Sequence, residues 1–211
     1  MKQKRKSMKS RNKLGLLVVA VIMVSLTFGG CTEKKQKVEF EELDYTHSNP
    51  VKNTTLFGLC GEASAMNTLQ LIADNGDTLN LSIYKAKEQN KVYGGYSCGD
   101  RMAVIANETH TEALLVINET TLLGDWLMLN PLDGSSEVGL SLREGGIVEG
   151  INQSILMYRA WRIFNGKLEL QLTREGGGDE EEVNRYDIVK LDADSLIFTN
   201  EEDRFEYYRQ R

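Results

Sequence analysis

The feature that most constrains this chain is a two-residue rhythm that runs through residues 122–211 and is broken at short intervals by turn residues. Leu168, Leu170 and Leu172 alternate with Glu169 and Gln171, and Asn165-Gly166 stands just before them. Alternation gives an extended segment one apolar and one polar face. Asn-Gly tolerates positive φ at both central positions of a tight turn, which makes it a strong hairpin signal. The same reading places strands at 125–129, 136–142, 147–151, 157–165, 168–173, 182–190, 195–199 and 204–210. Gly145-Gly146, Gly176 to Gly178 and Asp192-Ala193-Asp194 fall in the breaks between them. Parallel neighbours need a crossover of about a dozen residues or more. These breaks are shorter, so the strands must run antiparallel. A meander of eight such strands can close on itself and remove its edges.

The stretch from 45 to 121 carries the same rhythm less evenly. Strands are expected at 68–73, 78–84, 92–96, 101–106 and 112–118. Asp74-Asn75-Gly76-Asp77 joins the first two, and a polar connection fills 85–91. Five short strands suggest a small, strongly curved barrel or sandwich, the five-stranded oligosaccharide/oligonucleotide-binding type among the options. The expected fold class is all-β, with two small antiparallel β-barrel-like domains, the second an eight-stranded meander barrel.

The N-terminus sets the address. Lys2, Lys4, Arg5, Lys6, Lys9, Arg11 and Lys13 precede an apolar run from Leu14 to Phe28. A run of fifteen residues is too short to span a bilayer core comfortably and fits the h-region of a signal peptide. Gly29-Gly30 then lead to Cys31, and the arrangement resembles a bacterial lipobox. That resemblance implies a signal over 1–30, acyl chains such as palmitate on Cys31, and membrane attachment through them. Thr32 in second place, where an inner-membrane retention signal would have Asp, implies the outer membrane. Residues 31–44 are rich in Lys, Glu and Gln and read as a flexible tether. Seven of the 25 basic side chains lie in the first 30 residues. The rest of the chain therefore has 18 basic against 31 acidic groups, net −13. A domain this acidic repels phosphates, so no nucleic-acid partner is expected.

Two cysteines remain, Cys60 and Cys98. In an oxidising compartment a pair favours a disulfide, and a loop of about 39 residues would contribute on the order of 4 kcal/mol. Two free thiols are the alternative. A metal site is disfavoured, because His47 and His110 are the only histidines and neither sits at ligand spacing from a cysteine. Nucleophilic catalysis needs a base beside the nucleophile. His110 lies in a polar turn and His47 just past the tether, so no catalytic residue and no cofactor is expected and the chain reads as a non-enzyme. The run Glu180-Glu181-Glu182 reads as a solvated loop.

The second half also resembles a known family, the short lipocalin-like domains of lipoproteins from Bacteroides-type bacteria. The resemblance is carried by Gly124-Asp125-Trp126, Gly145-Gly146-Ile147-Val148-Glu149-Gly150-Ile151-Asn152, Leu156, Tyr158 and Trp161. It continues through Leu168-Glu169-Leu170, Tyr186-Asp187-Ile188, Leu191, Asp194-Ser195-Leu196 and Tyr208-Arg209. In such barrels the first-strand Trp lies under a C-terminal Arg and closes the bottom, so the resemblance implies that Trp126 packs against Arg209. It also implies a binding module for a small apolar ligand or a glycan. The alternative is a structural or protein-interaction lipoprotein of the cell envelope, with an interior plugged by Trp161, Leu170, Ile188, Phe198 and Phe205. A barrel of eight strands accommodates either.

Overall fold

The computed structural model describes residues 51–131, 134, 136–152, 156–174, 176 and 181–211. The signal segment (1–30), Cys31, the tether, His47 and Gly177 to Glu180 lie outside the described residues. Two sheets account for nearly all of the secondary structure.

The first sheet contains β1 (Leu56–Cys60), β2 (Thr68–Ala73), β3 (Thr78–Ser82), β4 (Val92–Tyr93), β5 (Arg101–Ala106) and β6 (Ala113–Asn118), in the order β3-β2-β1-β5-β6-β4. All neighbours are antiparallel except β4 and β6, which run parallel, so the sheet is mixed rather than purely antiparallel as expected. A further parallel bridge, Ser82 to Glu112, curls the end of β3 round to the start of β6. Alternation works here as a packing rule: Leu69, Leu71, Leu81 and Ile83 are fully covered and join Met102, Val104 and Val116 in the core of this sheet. The expected hairpin forms at Asp74 to Asp77, but only Gly76 takes positive φ, at 93°. Ala73 N–H donates to Asp77 O at 2.8 Å, so the loop is a turn with a glycine bulge, not the two-residue type. The connection after β3 holds a short helix, α1 (Tyr84–Glu88), which buries Ala86.

The second sheet begins after a one-turn helix, α2 (Glu119–Leu122), capped by the Asn118 side chain accepting from Thr121 N–H at 2.9 Å. Its strands are β7 (Gly124–Leu129), β8 (Glu137–Leu142), β9 (Val148–Ile151), β10 (Leu156–Phe164), β11 (Lys167–Arg174), β12 (Glu182–Leu191), β13 (Ser195–Thr199) and β14 (Arg204–Arg209). The order β10-β11-β12-β13-β14-β7-β8-β9 is a meander in which β14 returns to pair with β7. This eight-stranded antiparallel barrel is nearly closed. Its seam lies between β9 and β10, which share no ladder among the described residues, and Trp161 Nε1 donates to Arg143 O at 2.9 Å. Asn165 (φ 48°) and Gly166 (φ 73°) make the expected tight turn between β10 and β11.

The inner wall carries Trp126, Leu140, Leu142, Trp161, Ile163, Leu168, Leu170, Tyr186, Ile188, Leu196, Phe198 and Tyr207, all buried. The opposite face of β11 is not wet, as simple alternation would have it. Glu169 is 0% exposed because β10 and β12 place an arginine on each side of it. Arg162 Nε donates to Glu169 Oε2 at 2.7 Å and Arg185 Nε to Oε1 at 2.5 Å. Two long aliphatic stems roof one carboxylate while their charged heads reach water.

The two sheets meet at one end of the barrel. Ala103 and Ile117 of the first sheet belong to the barrel's buried cluster, with Phe57, Tyr93 and Leu115 packed against it. The Asn165-Gly166 turn sits on Ile105 and Leu115. A Cβ at Gly166 would lie 3.0 Å from Ile105 Cγ1, a tight fit, and the positive φ there favours glycine. Asn165 Oδ1 accepts from Thr54 N–H at 2.7 Å, Asn53 Oδ1 accepts from Asn165 N–H at 3.1 Å, and Leu191 O accepts from Gly94 N–H at 2.9 Å. One end of the barrel is therefore stoppered by the first sheet.

Candidate functional site

At the stoppered end, strand pairing puts Arg209 directly opposite Trp126. The guanidinium carbon lies 4.1 Å from the indole centroid, so the structure brings together the two residues singled out from the sequence. Arg209 also donates to three backbone carbonyls: Nε to Ala193 O at 2.6 Å, Nη1 to Leu123 O at 2.7 Å and Nη2 to Thr121 O at 2.5 Å. The last two lie at the C-terminal end of α2, where carbonyls lack intrahelical partners and favour a cation. Trp126 Nε1 donates to Leu122 O at 2.8 Å. Burial lowers the Arg209 pKa while Asp194 and Asp192 raise it. Gly124 makes the approach feasible: its φ is 135°, and a Cβ there would lie 2.2 Å from Arg209 Nη1. The arrangement is structural chemistry with no group placed to react.

The opposite end is the one at which β13 turns into β14; among the described residues the contacts named above between the first sheet and the barrel all fall at the stoppered end. Here the inner wall is aromatic. Tyr186 lies 4.9 Å from Phe198 and 5.8 Å from Phe205, centroid to centroid. Phe198 is 5.4 Å from Phe205 and 5.5 Å from Tyr207. Tyr158 and Phe205 are only partly buried and pack against the barrel's buried cluster. Burial, with the Tyr158 and Asp203 charges adding, pushes the Tyr186 hydroxyl up to about 12. Burial pushes Tyr207 higher still, and Tyr158 and Tyr186 act on it in the same sense. The Tyr186 and Tyr207 hydroxyls therefore stay neutral at physiological pH. Above them Arg174 Nε forks onto Glu182, 3.0 Å to each oxygen. The arrangement is an aromatic cluster that carries tyrosine hydroxyls. Of the residues expected to plug the barrel, Trp161, Leu170, Ile188 and Phe198 are buried in it and Phe205 stands at its upper edge. The three tyrosines were not anticipated as a group, although Tyr158, Tyr186 and Tyr207 each fall on an apolar position of the strand rhythm.

The remaining candidates disperse. Cys60 and Cys98 are free thiols, which corrects the expected bridge. Cys60 closes β1 with its side chain turned into the first sheet's core, where Sγ lies 3.2 Å from Ser64 Oγ, whereas Cys98 is exposed in the turn before β5. His110 occupies an exposed turn position with φ 52°. No cluster of three or more His, Cys, Asp or Glu among the described residues could hold a metal ion. No helix among them is long and apolar enough to cross a membrane. A concavity of about 430 Å³ lies on the outer wall, lined by Leu127, Glu137, Asp194 and Tyr208 to Arg211. Charged residues, among them the Arg211–Asp194 ion pair at 3.2 Å, belong to its lining.

No curated protein matches the chain. A solved structure does, that of a lipocalin-like protein from Bacteroides thetaiotaomicron. It is 31% identical over 43% of this chain and 97% of that one, with a TM-score of 0.39. The family model described as lipocalin-like matches residues 118–210, from the cap of α2 to the end of the barrel. Through its C-terminal half, the chain belongs to the lipocalin-like family.

Proposed function

We propose that this chain is an exported, lipid-anchored, non-catalytic binding module that takes a small apolar ligand, or the apolar face of a glycan, through the open end of its barrel. The observation that carries this is the contrast between the two ends. One is stoppered by the first sheet and locked by Arg209 over Trp126. The other is lined by Tyr158, Tyr186, Phe198, Phe205 and Tyr207, and among the described residues the contacts with the first sheet lie away from it. Family membership supports a binding role by analogy of fold. In this reading residues 1–30 are the signal, Cys31 carries the acyl anchor, 31–44 form the tether, 45–121 the small first barrel-like domain and 122–211 the lipocalin-like barrel. The cell envelope, outer membrane included, is then the site of action.

A neutral apolar fluorophore such as N-phenyl-1-naphthylamine tests the reading. Titrated into the purified chain, it is expected to saturate at one site. Phe205→Ala is expected to weaken it by about tenfold, in line with loss of a buried aromatic contact. Absence of saturable binding would refute the module. Membrane attachment is tested separately by Cys31→Ser, which should move the chain from the membrane to the soluble fraction.

One observation favours a second reading, a scaffold that docks an envelope protein. The barrel's rings are already in contact with one another. Leu59 (45% exposed) and Ile72 (46%) form an apolar cross-strand pair on the outer face of the first sheet. Pull-down by that face with no probe binding would identify it.

A further inference from the structure

The concavity on the barrel's outer wall has a volume of about 430 Å³, inside the range of about 300–1,000 Å³ typical of small-molecule sites. Strand pairing fixes its parts. Tyr208 lies beside Leu127 across the β14–β7 ladder, and Glu137 pairs with Leu129 on the other side of β7. The Tyr208 hydroxyl donates to Glu137 Oε1 and so ties β14 to β8 across β7. Leu127 is only 4% exposed, whereas Tyr208 is 40% exposed, so an apolar floor is joined to an accessible aromatic ring. On the opposite flank Asp194 O accepts from Arg209 N–H at 3.0 Å, and Asp192 Oδ1 accepts from Asp194 N–H and Ser195 N–H, which pins that turn. Gln210 N–H donates to Asp125 O at 2.9 Å and holds the end of the wall to β7. These side chains hang from hydrogen-bonded backbone, the support a precise site needs.

The charges in the lining cancel: Glu137 and Asp194 stand against Arg209 and Arg211. Arg209 is committed to Trp126 and three carbonyls, and Arg211 Nη2 donates to Asp194 Oδ1 at 3.2 Å. An anion would find both guanidinium groups engaged, and a cation would meet two carboxylates that already accept. A wholly apolar body would strip water from polar groups without satisfying them. A neutral molecule with an apolar face and adjacent hydroxyls suits both halves of the wall. Its C–H groups lie on Leu127 and the Tyr208 ring, and its hydroxyls meet the planar, two-pronged carboxylates, the Gln210 amide and the Arg211 guanidinium.

From this we infer that the outer-wall concavity binds a neutral pyranose unit of a saccharide. It is a site of its own on the outside of the barrel, and either this site or the barrel end proposed above can fail without the other.

The test titrates the methyl pyranosides of glucose, galactose, mannose and N-acetylglucosamine into the full chain in lipid nanodiscs, with empty nanodiscs as the blank. Binding is followed by saturation transfer from protein to ligand in proton NMR. At least one pyranoside is expected to saturate with a dissociation constant on the order of 1 mM. Glucuronate and glucosamine, charged relatives of the same ring, are expected to bind no more tightly than the methyl glucoside. Tyr208→Ala is expected to weaken binding at least about tenfold through loss of the ring. Gln210→Ala, at an exposed position whose backbone bond survives, is expected to weaken it about threefold and keeps the test open should Tyr208→Ala fail to fold. N-phenyl-1-naphthylamine is expected to leave sugar affinity unchanged, and its own saturation, read in the same samples, decides the barrel-end reading separately. Failure of all four pyranosides to saturate overturns the inference. So does binding indifferent to both substitutions, tighter binding of a charged relative, or displacement of the sugar by N-phenyl-1-naphthylamine.

Discussion

Replacing Arg209 by alanine removes more than one contact, and the structure gives the size of the loss. The guanidinium stacks on Trp126 at 4.1 Å and donates to three carbonyls between 2.5 and 2.7 Å. A stacked cation contributes about 0.5–2 kcal/mol and a hydrogen bond from a charged group about 1.5–3. These do not add fully, because Arg209 is only partly buried and water can reach some of the freed carbonyls. A net cost of about 3 kcal/mol follows, which for a chain of this length is a fall in Tm of about 6–12 °C. Arg209→Lys keeps the charge but not the planar fork and should lose about half as much. Thermal unfolding followed by circular dichroism and by Trp fluorescence reads both. Gly124 adds an internal control. Gly124→Ala should be costly in the parent through clash and positive φ, and less costly in the Arg209→Ala background, where only the φ penalty persists. If Arg209→Ala shifts Tm by under 1 °C, the guanidinium is an incidental surface group and the argument for a locked barrel end fails.

Three further outcomes are expected. Glu169→Gln should cost about 1–3 kcal/mol in chemical denaturation, because the neutral amide breaks a charge-assisted bridge between Arg162 and Arg185 without emptying the space. Glu169→Leu should cost no more than Glu169→Gln. A maleimide should label Cys98 rapidly and Cys60 only after denaturation, so that peptide mass spectrometry finds one of these two thiols modified in the native chain. The raised Tyr186 and Tyr207 hydroxyls stabilise the fold below pH 10. In the unfolded chain they ionise near 10, so this stability should drain away as pH rises from 10 through about 12, seen as a falling Tm with delayed phenolate absorbance.

The barrel was legible in the sequence because its local and global signals agree. Asn165-Gly166 specifies its own turn, and the spacing of Leu168, Leu170 and Leu172 specifies which way that strand faces. The observed strands β5 and β13 begin and end where alternation puts them. The first strand, β1, was invisible to the same argument. It runs between two neighbours, and its segment Leu56-Phe57-Gly58-Leu59-Cys60 is apolar without alternating. Gly58 sits where a Cβ would lie 2.3 Å from Ile72 O, a demand set by the partner strand and not by its own neighbours. The covering of Glu169 was equally hidden. A carboxylate at an outward position reads as solvated until the register shows an arginine on each adjoining strand. As for the candidate site, the pairing of Trp126 with Arg209 came from family resemblance. The ring cluster at the opposite end required the closure of the sheet to bring strands β10, β12, β13 and β14 face to face.

The stopper is made by chain that precedes the barrel, and this has a consequence for cooperativity. Thr54 meets Asn165 across 111 positions and Thr121 meets Arg209 across 88. Such distant closures are entropically slow, and neither sheet can complete its burial until the other has formed. Ala103 and Ile117 serve two masters, so excising residues 122–211 would bare apolar side chains at the barrel's floor. The intact molecule should therefore melt in one transition, and a wound in either half should be felt as a loosening of the whole.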